Sequence, residues 1–259
     1  MVKWQRLSRF WRTNSLAVSI PNLFESPQFR AAIGPVTGQA IRPGGISLTM
    51  EAAGRCCLPE NARVLDIGCG AGATAACLRS KFKFNAIGID RSALLLADAL
   101  KQEQMLPLIR GDAVHLPFAG SCMDGVFMEC VMSLIPEPSN AASECCRVLK
   151  PGAWLIISDI YARNKPANIK QEPFPMRSCL GGAMNREKIE DMINNSGFHC
   201  LAWEDRSDLL KQMAAQLVFE FGSMNAFWSA FCNGNTQYEF KERIKDIRPG
   251  YYLLMARKK

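Results

Sequence analysis

The chain has 259 residues, 48% of them apolar and 21% charged, which is enough for a full buried core of ordinary globular composition. No run approaches the ~18–20 consecutive apolar residues of a membrane span, so no membrane-spanning helix is expected. The net charge of +7 sits at the ends: five basic residues face one acid in residues 1–30, and seven face two in residues 241–259. The middle is slightly acidic, which speaks against a basic nucleic-acid cleft and for solvated tails.

Residues 1–12 interleave Lys3, Arg6, Arg9 and Arg12 with Trp4, Leu7, Phe10 and Trp11, the spacing of a short amphipathic helix. A transit peptide and a membrane-surface contact both fit this pattern. The reading favoured is a helix that folds back over a ligand cleft. The longest apolar stretch nearby is Leu16-Ala17-Val18, so no secretory signal is expected and a cytoplasmic location is. Residues 13–45 are punctuated by Pro21, Pro27, Pro35 and Arg42-Pro43-Gly44-Gly45 and read as irregular.

From residue 46 the pattern alternates. A helix over 46–57 precedes a strand at 63–67, a helix at 73–81 and a strand at 85–89 ending at Asp90. A helix over 92–104 follows, with Ser92 as its N-cap, then strands at 108–110 and 125–130. A helix over 139–149, closed by Lys150-Pro151-Gly152, leads to a strand at 154–159. This β-α-β alternation predicts a parallel sheet with helices on both faces. Beyond Asp159 the pattern changes. Residues 161–178 read as a loop or lid, 185–196 as a helix capped by Gly197, and 198–205 as a strand. Residues 207–247 read as an aromatic-rich helical insertion, and 250–258 as a last strand.

The eleven cysteines include no C-x-x-C pair, so no zinc ribbon and no resident metal is expected. Their odd number, with no secretory signal, predicts reduced thiols that act mostly as small core residues.

The informative stretch is Val64-Leu-Asp-Ile-Gly-Cys-Gly-Ala-Gly72. A strand runs into Asp66, three glycines turn the chain, and a helix begins. That layout suits a nucleotide-type cofactor, because a backbone without Cβ can turn sharply and let a ligand touch it. Gly68, Gly70 and Ala73 also satisfy the G-x-G-x-x-G/A pattern of a dinucleotide site, so this motif alone leaves an NAD enzyme open. Asp90, at the end of the next strand, would accept ribose hydroxyls in either case.

The same stretch resembles motif I of the class I S-adenosylmethionine-dependent methyltransferases, and the resemblance extends over roughly residues 60–205 plus the last strand. It implies a Rossmann-like α/β fold: a seven-stranded sheet, mostly parallel with an antiparallel last strand, and a helical insertion before that strand. The last strand would lie antiparallel beside the sixth, unlike the parallel second half of a dinucleotide fold. The implied divisions are an N-terminal segment or lid (1–45), a cofactor-binding core (46–206), a helical cap (207–248) and the last core strand (249–259), all one domain.

The resemblance further implies that Asp66, Gly68, Cys69, Gly70, Gly72, Asp90, Arg91, Asp112, Ala113 and Glu129 hold S-adenosylmethionine, with Asp112 and Ala113 at the adenine. Methyl transfer needs alignment more than a dedicated base, so no catalytic residue is assigned, and His115 and His199 are expected to be structural. The expected partner is a small-molecule acceptor, not nucleic acid. Candidate lining residues are Arg42, Glu129, Cys130, Asp159, Tyr161 and the aromatics near Trp228. The bland alternative is that those aromatics form the insertion's own core.

Ser178-Cys-Leu-Gly-Gly-Ala-Met184 resembles the Cys-x-x-Gly-Ala segment of arsenite methyltransferases, which implies Cys179, with Cys232 as a second thiolate, as ligands for a soft acceptor. The N-terminal cysteine of those enzymes has no counterpart in Arg42-Pro43-Gly44-Gly45. A non-catalytic subunit that binds the cofactor remains an alternative.

Overall fold

A computed structural model of the chain describes residues 23–38, 40–164, 178–231 and 234–259. The basic aromatic segment 1–12, Cys232 and most of the expected loop after Asp159 lie outside the described residues.

Helix α1 (Pro27–Thr37) starts with Pro27 at its first position and Ser26 as N-cap, whose hydroxyl accepts from the Phe29 amide. Helix α2 (Gly45–Cys56) presents Thr49, Ala52, Ala53 and Cys56 on one buried face, the i, i+3, i+4, i+7 spacing of an amphipathic helix. Then come β1 (Arg63–Ile67), α3 (Ala73–Phe82), β2 (Asn85–Asp90), α4 (Ala93–Gln102), β3 (Leu108–Arg110), β4 (Met123–Glu129), α5 (Pro138–Val148), β5 (Leu149–Ala162), α6 (Arg186–Asn195) and β6 (Phe198–Asp205). The insertion consists of α7 (Ser207–Phe221), α8 (Met224–Ser229) and α9 (Gly234–Ile247), and the chain returns through β7 (Pro249–Lys258).

The seven strands lie in the order β3-β2-β1-β4-β5-β7-β6. The first five are parallel, and β7 runs antiparallel to both β5 and β6. A second parallel mononucleotide half, which a dinucleotide fold requires, does not follow. Three departures from expectation stand out. Residues 27–37, read as irregular, form α1, because Ser26 and Pro27 start a helix whose Phe29 and Ile33 pack on the insertion. Strand β5 runs on to Ala162, where it still pairs with β7, into the expected loop. The start of β5 is also early. Strand β5 begins at Leu149, where Leu149 pairs with Met123, and the register then shifts before Gly125 meets Trp154. Lys150-Pro151-Gly152 therefore lies inside an irregular strand start, with Gly152 in the left-handed region at φ 71°.

Each face of the sheet carries its own apolar core. Leu48, Ala52, Ala75 and Leu78 of α2 and α3 pack on Val64, Ala86, Phe127, Ile156 and Tyr251. Ala141, Ala142 and Cys145 of α5 and Ile189 and Ile193 of α6 pack on Leu65, Val126, Met128, Leu155 and Tyr252. A third core joins the N-terminal segment to the insertion through Leu23, Phe29, Ile33, Leu217 and Phe227. Phe29 meets Phe227 and Phe231 at 6.2 and 5.2 Å between ring centroids. The aromatics of α8 thus sit in a core that the insertion shares with α1, while Phe219 on α7 is 88% exposed. Among the described residues no helix is long and apolar enough to cross a membrane, and the ten described cysteines are free thiols.

Candidate cofactor cleft

The cleft forms where β1 and β4 meet and the chain crosses from one side of the sheet to the other, the place where open parallel sheets bind ligands. It encloses about 670 Å³, lined by the glycine turn, the ends of β2 and β4, the turn at 111–114 and the N-terminal segment. That size is typical of a small-molecule site.

The glycines differ in their work. Gly68, at φ 70°, leaves no room for a side chain, since a Cβ there would lie 2.2 Å from Val131 Cγ2. Gly70, at φ 52°, faces open space on the cleft side, so its backbone is what a ligand would meet. Gly72 does not line the cleft. It starts α3 and lets Leu106 and Ala99 approach, a Cβ being 2.5 Å from Leu106 Cδ2. Its expected place in the cofactor site thus becomes a helix-packing place. The Cys69 thiol turns inward against Gly88, leaving the backbone of Cys69 to the cleft.

The acids are held in advance. Asp90 accepts the Gly70 amide on one carboxylate oxygen and the Ser92 amide on the other, both at 2.8 Å, tying the glycine turn to the start of α4. Asp112 accepts the Val114 amide at 3.3 Å and meets Arg91 at 3.5 Å, with Ala113 buried beside it in the cleft wall. Asp66 is buried and accepts the Ala75 amide at 3.1 Å, near the N-terminus of α3, where the helix favours negative charge.

At the floor lies a buried polar network that the sequence reading only half found. Arg42 pairs with Glu129 at 2.8 Å, and both side chains are buried. Its Nη2 also donates to Thr49 at 2.5 Å and Thr74 at 2.9 Å. Thr49 and Thr74 donate in turn to Glu129 at 2.9 and 2.6 Å. Burial is the largest single influence on the Arg42 pKa and lowers it, but Glu129 together with Tyr251, Cys130 and Asp66 outweighs burial and the net shift is upward. Thr49 and Thr74 were missed, and the available signal was a threonine within the apolar stripe of α2.

The Nε of Arg42 is buried, has no partner and belongs to a residue that lines the cleft. An orphaned buried donor is costly unless a ligand satisfies it. The methionine moiety of S-adenosylmethionine carries a carboxylate for such a donor and an ammonium for Asp66 and Glu129. Its ribose hydroxyls suit Asp90 and its adenine the 112–113 turn. The donor set fits the cofactor.

The acceptor candidates separate. Arg42 and Cys130 line the cleft, whereas Tyr161 and Cys179 do not. Tyr161 lies on the opposite face of β5, edge-on to Trp203 and Tyr252, and donates to Asp205 at 3.0 Å. Asp159 accepts from the Ser133 amide and hydroxyl at 2.9 and 2.7 Å, and burial pushes its pKa up to about 6. Cys179 is buried beneath the cleft and donates to the Cys130 carbonyl at 3.6 Å. Cys130 takes the left-handed backbone at φ 56°, a strained state for a non-glycine residue. Its thiol lies 3.6 Å from the Tyr251 hydroxyl. Ligand atoms of Cys130, Asp159 and Cys179 lie within 4.8 Å of one another. Close packing of Gly182 on the Ser133 carbonyl brings them together, a Cβ there being 2.1 Å from that oxygen. Neither histidine lines the cleft.

Residues 65–157 match the family model described as "Methyltransferase domain". The chain is 26% identical over 146 residues to an arsenite methyltransferase of Halobacterium salinarum, covering 53% of this chain and 37% of that protein. It is 34% identical over 117 residues to a demethylmenaquinone methyltransferase of Lactiplantibacillus plantarum, covering 42% and 49%. The chain therefore spans less than half the length of these relatives. Its fold is similar to that of Haemonchus contortus phosphoethanolamine N-methyltransferase 2 in complex with S-adenosyl-L-methionine, with a TM-score of 0.73 at 21% identity, covering 90% of this chain and 57% of that one. Acid, glycine turn, ribose-side acid and antiparallel last strand thus meet a matching domain model, and residues 65–157 carry a methyltransferase domain similar to those of S-adenosylmethionine-dependent enzymes.

Proposed function

We propose that the chain transfers a methyl group from S-adenosylmethionine to a small-molecule acceptor and releases S-adenosylhomocysteine. The observation that carries this reading is the cleft itself: Asp66, Gly70, Asp90 and Asp112 converge on one cavity that ends at the orphaned Nε of Arg42. The bound cofactor supplies an electrophilic methyl on its sulfonium, open to in-line attack by an acceptor lone pair. The protein's work is alignment. Asp90 holds the ribose, the Asp112–Ala113 turn the adenine, Arg42 the carboxylate, and Glu129 with Asp66 the ammonium.

The acceptor would lie toward Phe24, Ile41, Leu134, Ile135 and Pro136, an apolar wall suited to a small molecule. In this reading residues 1–45 act as a lid and 207–248 as a cap, joined through their shared aromatic core. The test is release of S-adenosylhomocysteine from a panel of small acceptors. Cofactor binding without turnover on any of them would favour a non-catalytic subunit. Nicotinamide binding in place of S-adenosylhomocysteine binding would overturn the reading.

A second reading has a specific observation behind it. The proximity of Cys130, Asp159 and Cys179 supports a thiophilic acceptor such as arsenite, with Cys130 facing the cleft and Cys179 behind it. The expected partnership of Cys179 with Cys232 has no structural support, because Cys232 is outside the described residues. Incubating the reduced protein with S-adenosylmethionine, arsenite and a thiol tests it. Methylated arsenic that disappears in both Cys130→Ser and Cys179→Ser supports the reading, and its absence from the wild type removes it.

A further inference from the structure

The charges at the cleft floor do not balance. Asp66 and Glu129 are both buried acids that line the cleft, and the buried cation that acts on both is Arg42. Arg42 is committed to Glu129 at 2.8 Å and to the hydroxyls of Thr49 and Thr74. Asp66 is left with the Ala75 amide at 3.1 Å. The groups that face this pair are Glu129 from β4 and Cys130 just after it, Cys69 and Asp90 from the glycine turn and β2, Thr74 and Cys77 from α3, Thr49 from α2, and Tyr251 from β7. Apart from Arg42, these neighbours are acidic or neutral. Two buried carboxylates sharing one buried guanidinium cannot both ionise cheaply, since each uncompensated buried charge costs several kcal/mol.

Resting on the proposed cofactor reading, we infer that the cofactor-free protein keeps a proton on Asp66, and that the ammonium of the incoming cofactor displaces it. Binding is then an exchange of one cation for another at a fixed carboxyl pair, and the site selects ligands that carry a cation there. The titration supports the geometry: burial, with Glu129 next, pushes the Asp66 pKa up to about 8, while Arg42 and the Ala75 amide pull it down. A ligand cation pulls it further down, so a proton leaves as the ligand enters. Affinity therefore rises with pH below about 8. With one proton released per ligand bound, it rises about tenfold between pH 6 and 7, where the ligand's own amine stays protonated.

The experiment is calorimetric titration of the full chain with S-adenosylhomocysteine at pH 7, in phosphate and in Tris, buffers of very different ionisation enthalpy. The expected heats differ between the buffers by an amount equal to most of one proton released. Asp66→Asn should erase that difference. Glu129→Gln, which relieves the repulsion without removing Asp66, should shrink it and flatten the pH dependence of affinity. Asp112→Asn, at the adenine end, should weaken binding and keep the proton release. Buffer-independent heats in the wild type overturn the proposal, and so does release that persists in Asp66→Asn. Should Asp66→Asn not fold, the wild-type and Glu129→Gln titrations still decide. A complete lack of S-adenosylhomocysteine binding is a different failure: it overturns the cofactor reading, and this proposal with it.

Discussion

Substituting Gly68 by alanine tests the glycine turn most directly. The residue sits at φ 70°, so any side chain incurs the left-handed penalty of roughly 1–2 kcal/mol. The new Cβ would also lie 2.2 and 2.8 Å from the two Cγ atoms of Val131 and 3.1 Å from its Cβ. Rotating Val131 about χ1 can turn its hydrogen toward only one of the two close positions, so a methyl still clashes and the backbone after β4 must move. Forced overpacking of this kind costs about 1–3 kcal/mol. The sum, about 2–5 kcal/mol, is a large share of the roughly 5–15 kcal/mol that holds a domain together. Urea unfolding followed by far-ultraviolet circular dichroism should show a midpoint lowered by about 1–2 M at ordinary m-values. A double-mutant cycle separates the two causes. Val131→Ala should recover the steric part, a favourable coupling of about 1–3 kcal/mol, and leave the backbone part. A Gly68→Ala cost below about 1 kcal/mol, or strict additivity with Val131→Ala, would refute the reasoning.

Arg42→Ala should destabilise the protein by about 3–5 kcal/mol, because Glu129 is left as a buried charge without its partner; Arg42→Ala with Glu129→Gln should cost less, as thermal unfolding would show. Stability of the cofactor-free protein should fall as pH rises. Asp159 and Asp66 have folded pKa values raised to about 6 and about 8, so their stabilisation is complete below the ordinary carboxylate range and is lost as pH climbs first through 6 and then through 8. Asp66→Asn should remove the upper part of that loss in unfolding curves taken from pH 5 to 9. Gly182→Ala should push the 178–184 turn away from the Ser133 carbonyl, which is backbone and cannot rotate aside. A bifunctional thiol reagent that bridges Cys130 and Cys179 in the wild type should then bridge them less, as peptide mass spectrometry would reveal.

Much of the fold could be read from local chemistry. The strands from β1 to β3 and the helices between them obey simple patterns of apolar runs, caps and glycine turns, and their edges fall within a few residues of expectation. The acids of the cleft were legible because each ends a strand or follows a turn. What was not legible depends on which side of the sheet a side chain takes. Tyr161 takes the side of β5 that packs on Trp203 and Tyr252, not open to the cleft, and Asp159 turns to Ser133. Gly72 carries the same motif as Gly68 and Gly70, yet its neighbour is Leu106, thirty-four positions away in sequence. The Arg42–Thr49–Thr74–Glu129 network unites four separate elements, and no local spacing announces such a meeting.

The placement of β7 has a consequence for how the protein is made. Strand β7 follows β6 in the chain, yet it is not an edge strand: it fills the gap between β5 and β6. Until residues 249–258 emerge, β5 presents an unpaired edge and β6 has no strand to join. A nascent chain thus carries an open sheet edge until β7 has been made, the kind of surface that recruits other strands. Ribosome stalling or a nonsense codon between β6 and β7 should therefore yield aggregating fragments, because the edge of β5 then stays open.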